Sequence, residues 1–163
     1  MASELRQRSL RVPYLVSEQH IDPFGTVGLR SRIELHIAAN RGKIAKPLPF
    51  AVDSGASYSL IDLALAESRG IDVPPHEAEV ELSLRTPTGI RPFRVRPGRI
   101  RCWWNADRAG HPFDWPVLFR VGGPLGSPSI LGLGGVIRTC SWHFDGLYSS
   151  DAPYGALTLT DAR

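Results

Sequence analysis

An apolar run that delivers one carboxylate into a turn of small residues constrains this chain more than any other feature. It reads Phe50-Ala51-Val52-Asp53-Ser54-Gly55-Ala56-Ser57-Tyr58-Ser59-Leu60-Ile61. An ionised Asp set among apolar residues is costly unless hydrogen-bond donors meet it. Ser54, Ser57, Ser59 and the backbone N–H groups of the Gly55-Ala56 turn are the candidate donors. Asp53-Ser54-Gly55 alone is also the material of an ordinary Asx-turn, so its meaning depends on its surroundings.

Those surroundings extend the pattern. Hydroxyl residues follow the turn at Ser57 and Ser59, and two apolar residues with a glycine recur later as Ile130-Leu131-Gly132. In this order the three features resemble the retropepsin-like aspartic peptidases, whose signature is two apolar residues followed by Asp-Ser/Thr-Gly-Ala. The resemblance implies an all-β fold, a closed β-barrel-like body with one or two short helices. It implies a catalytic Asp53 supported by Ser54, Gly55 and Ala56, with Ser57, Ile130, Leu131 and Gly132 at the substrate cleft.

A chain of 163 residues is long enough to bury a core without disulfides or metals, and one domain over 10–163 is expected after a polar, flexible segment at 1–9. Sixteen glycines and fourteen prolines point to many turns and short strands rather than a helical bundle. Cys102 and Cys140 lie in no metal-ligand spacing. Two buried thiols in a reducing compartment are the preferred reading, and a disulfide would require their strands to be neighbours. No stretch has the length of a membrane span, and Met1 to Arg8 is not followed by an apolar signal core. A cytoplasmic protein is expected.

Along the chain, Leu10 to Val16 reads as a strand that Pro13 confines to an edge or a bulge. From Thr26 to Ala39 the residues alternate, with Ile33, Leu35 and Ile37 opposite Arg32, Glu34 and His36, as in a half-buried strand. Asn40 to Lys43 makes a hairpin turn, and Ile44 to Val52 returns into Asp53. Leu60 to Arg69 reads as a short helix ended by Gly70. Alternating runs at Ala78 to Leu84 and Ile90 to Arg96 flank a turn at Thr86-Pro87-Thr88-Gly89. By resemblance this hairpin is the flap over a bound substrate, tipped by Pro87, Thr88 and Gly89. Further strands are expected at Ile100 to Trp104, Phe113 to Val121, Cys140 to Phe144 and Gly155 to Thr160, with a short helix at Leu133 to Thr139.

Peptide hydrolysis without metal or covalent intermediate needs one group to activate water and another to protonate the amide. Two carboxylates sharing one proton supply both, because like charges so close cannot both ionise. With one such turn per chain, the second carboxylate must come from a second copy, so a homodimer is expected. The resemblance gives Ser54 a hydrogen bond across the two-fold axis. It also marks a departure: retroviral members pair an acidic residue after the turn with an arginine after the apolar-apolar-glycine element, and those places hold Ser57 and Leu133.

The expected partners are therefore a peptide or protein substrate and a second copy of the chain, with no cofactor and no metal. Five histidines share no ligand spacing with one another or with the cysteines. A retropepsin-like module that binds peptides without cutting them is the alternative. Arg85, Arg91, Arg94, Arg96, Arg99 and Arg101 raise a third reading, a basic barrel that binds nucleic acid. Their spacing fits the outer face of strands better, and the net charge of +3 is modest, so nucleic acid is not an expected partner.

Overall fold

The computed structural model describes residues 9–21, 27–86, 89–104, 112–123, 129–134, 136, 139–146 and 149–161. Residues 1–8 of the segment expected to be flexible over 1–9 lie outside them, as do 105–111 and 124–128, while Ser9 opens a strand. The described residues are dominated by strands, and their one α-helix is α1 (Leu63–Ser68). The chain forms two compact units, one from Met1–Ile33 with Val136–Arg163 and the other from Glu34–Gly135.

The first unit is an antiparallel sheet. β1 (Ser9–Ile21) pairs through Ser9 to Pro13 with β10 (Ala156–Asp161) and through Tyr14 to Ile21 with β2 (Val27–Ile37). β9 (Cys140–Asp145) flanks β10 on its other side. Each stretch of β1 has one ladder partner, as the edge or bulge position expected from Pro13 allows. The two ladders use different lengths of β1, and Pro13 stands at the handover, where a missing N–H interrupts neither. Alternation along β10 buries Leu157 and Leu159 with Val12, Cys140 and Ala152.

The second unit holds the Asp53 run. The end of β2 buries Leu35 and Ile37, as its alternation requires. A one-turn 3-10 helix (Asn40–Gly42) then reverses the chain, with Gly42 at a φ of +70°. β3 (Leu48–Val52), β4 (Leu60–Asp62), β5 (Val80–Thr86), β6 (Gly89–Trp103), β7 (Phe113–Val121) and β8 (Ser129–Leu131) follow. Ladder pairing runs β6, β7, β4, β8, β3, β2 and returns through a second pairing of β2 with β6. The core is set by β7, whose Phe113, Trp115, Val117 and Phe119 are all buried. The rings of Phe113 and Trp115 stack at 4.7 Å. Gly98 makes room for this row, because a Cβ there would stand 2.9 Å from both the Phe119 ring and Pro74.

The segment expected to be one helix from Leu60 to Arg69 divides. Leu60 to Asp62 is strand, pairing in parallel with β7 and at Leu60 with β8, and only Leu63 to Ser68 is helical. Asp62 ends the strand and caps the helix, its Oδ1 accepting the Leu65 N–H at 3.1 Å. Gly70, at a φ of +68°, ends the helix as expected. At Leu133 to Thr139 the described residues form turns, in which the Val136 carbonyl accepts from Thr139 and Cys140. Cys102 and Cys140 are both buried thiols.

Candidate active site

β3 carries Asp53 to the site, and β8 holds it there. The two strands are parallel, with Ala51 beside Ile130 and Val52 beside Leu131. The next rung is made by Asp53 itself, whose backbone N–H donates to the Leu131 carbonyl at 3.0 Å. The Asp53 side chain is exposed at the end of this rung, and its Oδ1 accepts the Gly55 N–H at 2.8 Å. Gly55 suits that turn, since a Cβ there would stand 3.2 Å from the same oxygen.

The chain after β8 threads beneath the loop. The Gly132 N–H donates to the Ser59 hydroxyl at 3.1 Å, the Leu133 N–H to the Ala56 carbonyl at 2.9 Å and the Gly134 N–H to the Ser57 carbonyl at 2.9 Å. Side chains would prevent this. A Cβ on Gly132 would lie 2.4 Å from the Tyr58 carbonyl oxygen, and one on Gly134 would lie 2.3 Å from that of Ser57. Ser57 and Leu133, where a charge pair was expected and found missing, thus belong to two segments joined through their backbones.

Some sequence expectations change here. The carboxylate takes its donor from the Gly55 backbone, while Ser54 and Ser57 are exposed and the buried Ser59 hydroxyl serves Gly132. Gly134, expected within a short helix, instead makes this close approach. The Gly132-Leu133-Gly134 spacing was the available signal. Asp62 and Arg120 were also missed. Their charged ends lie 3.9 Å apart with side chains 14% and 19% exposed, and nothing local in the sequence links them.

β5 and β6 form the expected hairpin in continuous register, from Val80 opposite Val95 to Thr86 opposite Gly89. Gly89 lies at the tip with a φ of +123°. Pro87 and Thr88 lie outside the described residues. Ile90 near this tip and Tyr58 in the Asp53 loop are exposed large apolar side chains. The arginines of β6 are largely occupied: Arg94 and Arg96 approach Glu79 at 2.8 and 3.7 Å, and Arg99 meets Asp114 at 2.9 Å. Phosphate contact would compete with these pairs, which counts against the nucleic-acid reading.

Among the described residues, no group of three or more His, Cys, Asp and Glu side chains could hold a metal, and no helix is long and apolar enough to cross a membrane. No family model and no curated protein matches the chain. Among solved structures it is similar to a retropepsin-like aspartic protease from Rickettsia conorii. The TM-score is 0.52 at 15% identity, over 98% of this chain and 97% of that one. At that identity the likeness describes the fold, a β-rich retropepsin-like one.

Proposed function

We propose that the protein is an aspartic endopeptidase acting as a homodimer, in which Asp53 of each copy supplies one of two carboxylates. The observation that carries this reading is the hydrogen-bonded crossing of the Asp53 loop over Leu131 to Gly134, with the carboxylate left exposed at its end. An ordinary Asx-turn has no need of a second segment buried beneath it. The returning ladder of the second unit is read as the closed β-barrel-like body of this fold.

In the proposed mechanism the ionised Asp53 takes a proton from a water as its oxygen attacks the peptide carbonyl carbon. The protonated Asp53 of the second copy donates to the carbonyl oxygen, and a proton then passes to the departing amide nitrogen as the C–N bond breaks. Ser54 bridges the two loops. Ser57 and Ile130 line the cleft, the buried Leu131 and Gly132 support the loop from beneath, and the hairpin tipped by Pro87, Thr88 and Gly89 covers it. Exposed Tyr58 and Ile90 give a peptide apolar surface to cover.

Peptide-library cleavage by the wild type and by Asp53→Asn, from acidic to neutral pH, with sedimentation in parallel, tests the reading. A bell-shaped pH profile is expected, with cleavage falling by about 10³-fold or more in a variant that still dimerises. A folded wild-type dimer that cuts nothing, or an Asp53→Asn variant that cuts as well, would overturn it.

A further inference from the structure

Within the second unit, the turn after β2 and the end of α1 border an open depression of about 530 Å³, a size at which small organic ligands are held. Its apolar lining comes from Ala39, Ile44 and Ala45, and its charge from Lys43, Lys46 and Arg69. Among the described residues, no carboxylate lines it. Arg94, Arg96, Arg99 and Arg120 of the same unit each approach an acid. Among the described residues, none of the three cations around the depression does.

The walls are fixed by backbone bonds. The Asn40 N–H donates to the Gly70 carbonyl at 2.8 Å, tying the turn to the helix end, while the Ala39 N–H meets the Lys43 carbonyl at 2.8 Å. Arg69 is not needed to cap α1, because the last helical carbonyls already accept the backbone N–H groups of Arg69, Gly70 and Ile71. Three cations are thus gathered round an apolar hollow with no internal task assigned to them. The five residues of β3, about 16 Å of strand, separate this end of the unit from Asp53.

We propose that this depression binds a small organic anion, a phosphate or carboxylate borne on a compact apolar body. Lys43, Lys46 and Arg69 take the charge, and Ala39, Ile44 and Ala45 take the apolar part. The site stands apart from the peptidase reading and does not depend on it.

The test is an amide NMR titration of the full chain at low salt with hexyl phosphate, hexanoate, hexanol and inorganic phosphate. Hexyl phosphate and hexanoate should move the amides of 39–46 and 68–70, each at least about tenfold more tightly than hexanol or inorganic phosphate, with the affinity falling as salt is added. The double variant Lys43→Glu, Arg69→Glu should lose about tenfold or more, and Asp53→Asn should bind as the wild type does. If the charge-reversed protein does not fold, Lys43→Gln, Arg69→Gln serves in its place and should still weaken binding. Shifts centred elsewhere, equal binding of hexanol or inorganic phosphate, or affinity that survives loss of the cations would overturn the proposal.

Discussion

The backbone N–H of Asp53 donates to the carbonyl of Leu131 at 3.0 Å, which fastens the candidate catalytic residue to a strand 78 positions further along the chain. Three more bonds, from Gly132, Leu133 and Gly134, repeat the attachment along the loop. A loop bonded to four consecutive residues of its neighbour holds a carboxylate in place without burying it.

The closest approach in this crossing makes the first prediction. Gly132→Ala places a methyl group against the Tyr58 carbonyl, and Gly134→Ala does the same against Ser57. Backbone atoms cannot swing aside as a side-chain end can, so each variant should lose about 1–3 kcal/mol in urea unfolding. The amide signals of 53–59 should move with it. Two variants as stable as the wild type would show that the loop does not rest on this segment.

Ser59 makes the second. Its buried hydroxyl is the acceptor for the Gly132 N–H. Ser59→Ala leaves that donor without a partner, at a cost of about 1–3 kcal/mol by chemical denaturation, whereas Ser59→Thr keeps the hydroxyl and should recover part of the loss.

Asp62 is a hinge between two kinds of structure. It caps α1 through Leu65 and faces Arg120. Asp62→Asn retains a capping oxygen but not the charge, and Asp62→Ala loses both. The alanine variant should be less stable than the asparagine variant by about 1 kcal/mol, the usual worth of a cap. Equal losses would assign the whole effect to Arg120.

In the first unit, burial raises the Tyr14 hydroxyl above its ordinary value of 10.0, and the Asp145 carboxylate adds to the shift. A group raised on folding contributes fully below its unfolded value and loses that contribution as pH rises through the folded one. The thermal midpoint should therefore fall less steeply above pH 10 in Tyr14→Phe than in the wild type. Asp151 runs the other way: the Ser149 hydroxyl, a backbone N–H and Arg11 hold it below 3.8. Its contribution is present above that value and is lost as pH falls through the lower folded one, so Asp151→Asn should flatten the acid limb.

Local pattern made much of this legible. The alternation of Ile33, Leu35 and Ile37 gave a strand with one buried face, and those three residues are buried. Turn chemistry placed Gly42 and Gly70 at positive φ. Local pattern failed at Leu60 to Asp62. Three apolar-rich residues joined to a helical run look like its first turn, and only pairing with β7 and β8 makes them strand. At β1 the proline told of a strand with one ladder partner at each residue, but not that two ladders share its length.

What the sequence determined by itself is a β-rich chain with a single carboxylate at a strand end, followed by residues small enough for close backbone approach. Period-two burial, turn residues and the lack of a side chain on glycine are local properties, and they act wherever the chain goes. The tertiary structure decided which segments meet. It set Leu131 to Gly134 beneath Asp53 to Ser59, gave Glu79 to both Arg94 and Arg96, and gathered Lys43, Lys46 and Arg69 round one hollow. Such meetings depend on strand order and register over separations of tens of residues, and hydrogen bonds and charges that act across space leave no periodic mark on the residues that make them.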